Sequence, residues 1–276
     1  MKPGRTQLAR ALGAYPTLLR VGLSEVVAYR AEFVVWILTT NMPFVMLAIW
    51  HAVASDGPVG RFGRGDFVAY YLGGWIIRLL TSTWMVWELS TAIRDGSLSS
   101  RLLRPIHPLF AFSAEHLAAL PMRLLVVSPV MVVLLASAGR RLAIFDPIFD
   151  PRVAAIFLAS LVGAWLLIFF SMVLMGSLAF FAESALGIFE LWLGVHAIFS
   201  GYLVPLEALP HWVRGAANVL PFRFMLGFPV ETLVGLLGRH DALMALAAQW
   251  GYVALFGLAA LWVWRVGLRT FSAYGG

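Results

Sequence analysis

Up to about residue 30, apolar and polar positions alternate along the chain with helical spacing. Leu8, Leu12, Tyr15, Leu19, Leu23 and Val26 recur every three or four residues, while Arg10, Thr17 and Ser24 lie on another face. The pattern predicts an amphipathic helix over 6–30, kinked or interrupted at Pro16 and lying in a membrane interface. Its polar face could also meet a cytoplasmic partner; plain membrane contact is the simpler reading. From Phe33 onward the polar positions thin out for stretches of about 20 residues, enough to cross a bilayer. Six such runs are predicted as transmembrane spans: 33–54, 67–89, 117–138, 153–181, 185–203 and 243–264. Pro43 is expected to kink the first, and Trp36 and Trp50 sit near its ends as interfacial tryptophans do. Pro121 and Pro129 interrupt the third, where Arg123 can snorkel. The fourth is long enough that it must tilt or project. Residues 204–238 are apolar yet broken by Pro205, Pro210, Pro221 and Pro229. Two short helices dipping partway into the bilayer suit them better than a crossing.

The polar interval between the second and third runs organises the chain. The arriving helix should stop at Arg94-Asp95-Gly96, since glycine takes the left-handed cap without strain. Ser97 can cap a new helix that Pro105 ends, which predicts a short helix over 97–104. Leu98 and Leu102 then share one side, and Arg101 pairs with Arg104 at i, i+3. A capped, two-faced helix of this size suits a docking knob for a soluble partner. On spacing alone, a basic loop held at the lipid headgroups is the plainer reading.

Composition narrows the class. The chain is 61% hydrophobic and 12% charged, against roughly 25% charged in soluble domains. It has no cysteine, which excludes disulfides and thiolate chemistry. The net charge of +6 is spread over loops on both sides of the membrane, so it does not read as a nucleic-acid surface. No cleavable signal pattern is expected, because the first apolar run begins so late. Lys2 is the only lysine and no GxxxxGK[ST] run exists, so ATP hydrolysis by that route must come from another chain. Six spans place both termini on one side. The basic residues favour a cytoplasmic N-terminus weakly, and Lys2, Arg5, Arg10, Arg20 and Arg30 decide for it.

The chemistry of an enzyme is thinly represented. None of the six histidines stands at a metal-ligand spacing. Phe199-Ser200-Gly201 is close to the GxSG of rhomboid proteases, but Ile198 replaces the first glycine and the sixth span lacks a histidine base. An ion-coupled secondary transporter is the stronger alternative, although such proteins usually carry a buried carboxylate. Here all 14 acidic residues fall in loops or near span ends. The charge near mid-span is Arg78 instead. It either lines a path for an anionic or amphipathic substrate or pairs with a neighbouring helix.

Three ordered motifs carry a resemblance over nearly the whole length. They are Tyr29-Arg30-Ala31-Glu32-Phe33 before the first span, Ala92 to Leu98 with Leu102-Leu103-Arg104-Pro105 after the second, and a third set after the fifth. The third set reads Ser200-Gly201, Pro205-Leu206, Leu209-Pro210, Leu220-Pro221-Phe222-Arg223 and Phe228-Pro229-Val230. In these the chain resembles the permease subunit of the type-2 ABC exporters, in their compact six-span branch. The resemblance implies an all-α polytopic membrane protein forming a single transmembrane domain over 1–276. It also implies an N-terminal interface helix, a cytoplasmic coupling helix and extracellular re-entrant helices. It implies a partner ABC ATPase in two copies carrying the ATP and magnesium, with no cofactor in this chain. A second permease, identical or paralogous, and a place in the cytoplasmic membrane follow from it too. The coupling residues map onto Arg94, Asp95, Leu98, Arg101, Leu102, Leu103 and Arg104. The function so implied is export of a hydrophobic or amphipathic substrate, with no substrate fixed.

Overall fold

The structure, a computed structural model of the chain, describes residues 3–29, 35, 40–138, 150–182 and 185–271, with the backbone alone for 3–12, 130–131 and 133–138. Among the described residues the regular elements are helical, apart from one isolated bridge between Val59 and Phe62. The helices are α1 (Pro3–Ala28), α2 (Met42–Val53), α3 (Arg64–Thr81), α4 (Met85–Arg94), α5 (Leu98–Leu102) and α6 (Pro108–Leu117). They continue with α7 (Leu120–Ala138), α8 (Pro151–Ser177), α9 (Ala185–Phe199), α10 (His211–Val219), α11 (Gly227–Leu233) and α12 (Arg239–Thr270). Short 3-10 turns occupy Leu178–Phe180, Leu206–Ala208 and Pro221–Met225.

Helix α8 is the axis of the fold. Asp150 caps it by accepting from the backbone N–H of Arg152 at 2.9 Å, and Pro151 fills the first helical position, where a missing N–H costs nothing. Helices α12, α4, α11, α3 and α9 pack around it. The contact with α12 is close because Gly163 faces Gln249: a Cβ there would stand 2.7 Å from Gln249 Oε1. The fully buried Gln249 amide donates to Ser160 O at 2.9 Å and Phe224 O at 2.8 Å. One side chain thus ties α8, α12 and the turn at 221–225. Leu89, Leu98, Phe112, Phe169, Phe189 and Trp264 belong to one extensive apolar cluster among the described residues.

Among the described residues three stretches are long and apolar enough to cross a membrane: Pro108–Pro129 with 22 residues, Pro151–Phe180 with 30 and Arg239–Thr270 with 32. The apolar helices α2 and α9 are shorter. Of the expected first span, 33–34 and 36–39 lie outside the described residues, as do 30–34 of the first motif, 139–149 and 183–184. Thr40 and Asn41 are not helical, and Pro43 stands at the start of α2 rather than kinking its middle. A proline's missing N–H suits the first turn, where helical N–H groups have no partner. The expected run 67–89 is two helices, since Ser82 is extended between α3 and α4. The third run starts earlier than expected, at Pro108, and turns at 118–119.

Helix α1 is continuous through Pro16, so of the expected kink or interruption there the interruption does not occur. It packs on α6, where Gly22 lets the two backbones approach: a Cβ would meet Ala118 Cβ at 2.7 Å. Tyr15 Oη and Ser113 Oγ are hydrogen-bonded across the same contact at 3.0 Å. At the other end of the molecule, residues 201–238 fold back over α3. Tyr70 donates to Gly201 O at 2.9 Å and Tyr71 to Leu203 O at 2.8 Å. Gly201, at φ +84°, makes the turn after α9. Helix α11 is wholly buried and held by the Arg223–Glu231 ion pair at 2.7 Å, whereas α10 exposes Trp212 and Val219. Arg61 pairs with Glu207 across this region.

Candidate functional site

The polar interval folds into a knuckle. Helix α4 ends at Arg94, and Gly96 at φ +78° reverses the chain into α5. Asp95 Oδ1 accepts from the Ser97 N–H at 2.9 Å, and that bond holds the exposed Asp95 carboxyl below the usual carboxylate range. The Ser97 side chain makes no cap bond, contrary to expectation, because its backbone is already helical, at φ −65° and ψ −16°, where a capping residue is extended. The helix lasts only to Leu102. That end falls short of the expected 104.

The expected shared face of Leu98 and Leu102 divides. Leu98 is 0% exposed and belongs to the chain's own cluster with Leu89, Ile93, Leu109 and Phe112. Burial of such a side chain is worth about 1.5–3 kcal/mol. It therefore anchors the knuckle from within the chain. Leu102 is 37% exposed and Leu103 88% exposed, so the tip is apolar and bare. Arg101 also turns inward: its guanidinium meets Glu115 at 3.0 Å and lies over the Phe112 ring at 4.4 Å. Arg94, Asp95 and Arg104 remain on the outside. The fold thus leaves Arg94, Asp95, Leu102, Leu103 and Arg104 exposed, buries Leu98 and ties the half-buried Arg101 to Glu115.

Arg78 sits on the last turn of α3, just before the break. Its guanidinium lies 4.6 Å from the centre of the Tyr202 ring. With Ser82, Thr83, Trp192 and His196 it lines a cavity of about 50 Å³, room enough for water. Arg78 Nε, Ser82 Oγ and Thr83 Oγ1 are buried without a hydrogen-bond partner among the described residues. Such groups call for water or a small polar ligand. The carbonyl of Ser82, released by the break, accepts from Arg123 Nη1 at 2.9 Å. Arg123 is 4% exposed, so it points inward and does not snorkel. The sequence reading placed Arg78 alone; Ser82, Thr83, Arg123 and His196 join it only in three dimensions. The polar triplet Thr81-Ser82-Thr83 was the available signal, since short hydroxyl side chains compete with helical hydrogen bonds. Thr81 Oγ1 does so by bonding Ile77 O at 2.8 Å.

Among the described residues no group of three histidine, aspartate or glutamate side chains is placed to hold a metal. No curated protein and no solved structure matches the chain. The family profile described as ABC-2 family transporter protein matches residues 37–275. That span takes in the knuckle, the broken helix, the axis and the long last helix. The chain belongs to the ABC-2 transporter family: it is a permease subunit of a type-2 ABC transporter, a membrane transport component and not itself a catalyst.

Proposed function

We propose that this permease exports a hydrophobic or amphipathic substrate across the cytoplasmic membrane, driven by ATP hydrolysed on a separate ATPase. In this reading the chain is one transmembrane domain that crosses six times with both termini cytoplasmic. The ATPase is present in two copies and carries the ATP and magnesium. A second permease, identical or paralogous, completes the pathway. Family membership supports an ATP-binding partner in general. The observation that carries the docking assignment is the bare apolar tip, Leu102 and Leu103, on a knuckle whose underside is locked by buried Leu98 and by Arg101–Glu115. A rigid, exposed apolar anchor with charges at its rim is how interfaces concentrate affinity. Arg94, Asp95 and Arg104 form that rim. Arg78 and the partnerless hydroxyls beside it support a wetted path at the helix break, because irregular backbone at membrane depth is tolerated where it lines a cavity.

The test uses the absence of native cysteine. Ser100→Cys should label with an impermeant maleimide only from the cytoplasmic side, and His211→Cys only from outside. Labelling of both from one side ends the six-crossing topology. Co-purification of an ATPase with the parent chain, lost on Leu103→Asp, supports the docking role; retention of a full complement ends it.

A further inference from the structure

A second, larger cavity shares no lining residue with the one at Arg78. It measures about 540 Å³ and is partly open, within the roughly 300–1,000 Å³ of small-molecule sites. Four segments distant in sequence enclose it. Helix α8 gives Trp165, Phe169 and Phe170, and α12 gives Leu261 and Arg265. His107 lies at the start of α6, and the α1 contact closes the last side through the Tyr15–Ser113 hydrogen bond.

Polarity is divided within it. The interior is aromatic and aliphatic. Arg265 is exposed at the edge and makes no ion pair among the described residues. Burial, and then the nearby Arg265 charge, hold the His107 imidazole below its usual pKa, so at neutral pH the cationic character there is that of Arg265. Inside, Trp165 stacks on Phe169 at 5.1 Å, and its Nε1–H is buried with no acceptor among the described residues. An aromatic chamber with one cation at its edge matches an amphiphile. The chamber takes a hydrocarbon chain and the guanidinium takes a phosphate.

We propose that this cavity, between α1, α6, α8 and α12, is a seat for one anionic glycerophospholipid of the surrounding leaflet, with its headgroup at Arg265 and an acyl chain against Trp165 and Phe169. The seat stands apart from Arg78 and does not depend on the transport path assigned there. A neutral phospholipid would gain the chamber but not a net charge attraction, so the site discriminates by headgroup.

The full-length chain, reconstituted in phosphatidylcholine vesicles, tests this with brominated acyl chains as quenchers. The fluorescence of Trp165 is read as the difference between the parent and Trp165→Phe. Brominated phosphatidylglycerol should quench that component at low mole fraction and saturate. Brominated phosphatidylcholine should quench it weakly and without saturation. Arg265→Gln, at an exposed position that the fold does not use, should raise the half-saturating phosphatidylglycerol fraction about tenfold. Equal quenching by the two lipids would reduce the cavity to ordinary boundary contact and overturn the proposal. Absence of Trp165 quenching by either lipid would overturn it as well. So would an Arg265→Gln variant that titrates like the parent.

Discussion

Replacing Leu98 and Leu103 separately by alanine separates the two roles of the knuckle. Leu98 is 0% exposed among Leu89, Ile93, Leu109 and Phe112. Leu98→Ala removes a fully packed side chain and leaves a cavity, at about 2–5 kcal/mol of stability. That is a large part of the roughly 5–15 kcal/mol that holds a domain folded. Leu103 is 88% exposed, so Leu103→Ala takes almost nothing from the fold. If the ATPase covers it, the lost burial is about 1.5–3 kcal/mol, or roughly 10- to 150-fold in affinity. Two assays divide the effects: thermal unfolding of the purified permease in detergent, and titration of the ATPase onto immobilised permease. Leu98→Ala should lower the unfolding temperature, and whatever permease remains folded should still bind. Leu103→Ala should unfold like the parent and bind weakly. Parental ATPase affinity in Leu103→Ala refutes the docking assignment. A Leu103→Ala variant as unstable as Leu98→Ala refutes the reading that the tip is bare.

Three further outcomes follow from the same geometry. Arg123→Leu strands the half-buried Ser82 carbonyl and should cost about 1–3 kcal/mol in thermal unfolding, with Arg123→Lys recovering part of it. Arg78→Leu should accumulate normally yet change substrate-stimulated ATPase activity in the assembled transporter; a fully active variant removes Arg78 from any path. His107, whose folded pKa lies below its ordinary 6.5, stays neutral in the fold while the unfolded chain takes up a proton. Its contribution is therefore intact above pH 6.5 and lost as pH falls toward the folded pKa, so His107→Asn should flatten the fall in unfolding temperature between pH 7 and 5.

Much of the helical character was legible because long apolar runs leave few alternatives to a helix. The stop at Gly96 was legible too, since a glycine after a helical run marks a left-handed turn, and φ there is +78°. The break at Ser82 was signalled only by the short triplet Thr81-Ser82-Thr83, and the apolar residues flanking that triplet made one run of two helices. The inward turn of Arg123 depends on that break, because the carbonyl it meets exists as a free acceptor only there. For Leu98 and Leu102, the i, i+4 spacing gave a common side but not what lies under it. The apolar cluster beneath α5 reaches Leu98 and stops short of the helix end. The 540 Å³ cavity was out of reach altogether, because the gap arises between segments from 15 to 265 that share no periodicity.

The interruption after Thr81 gives the molecule a joint where an unbroken helix would have been a rod. On one side of the joint, α3 is bolted by Tyr70 and Tyr71 to the turn after α9. On the other, α4 runs straight into the knuckle through Gly96. Under the proposed docking, a load on the knuckle would reach α4 first, and the extended Ser82 would take up rotation before α3 had to follow. Arg123 grips the carbonyl at that joint, so the two ends of the segment would be coupled through a pivot and need not move in step.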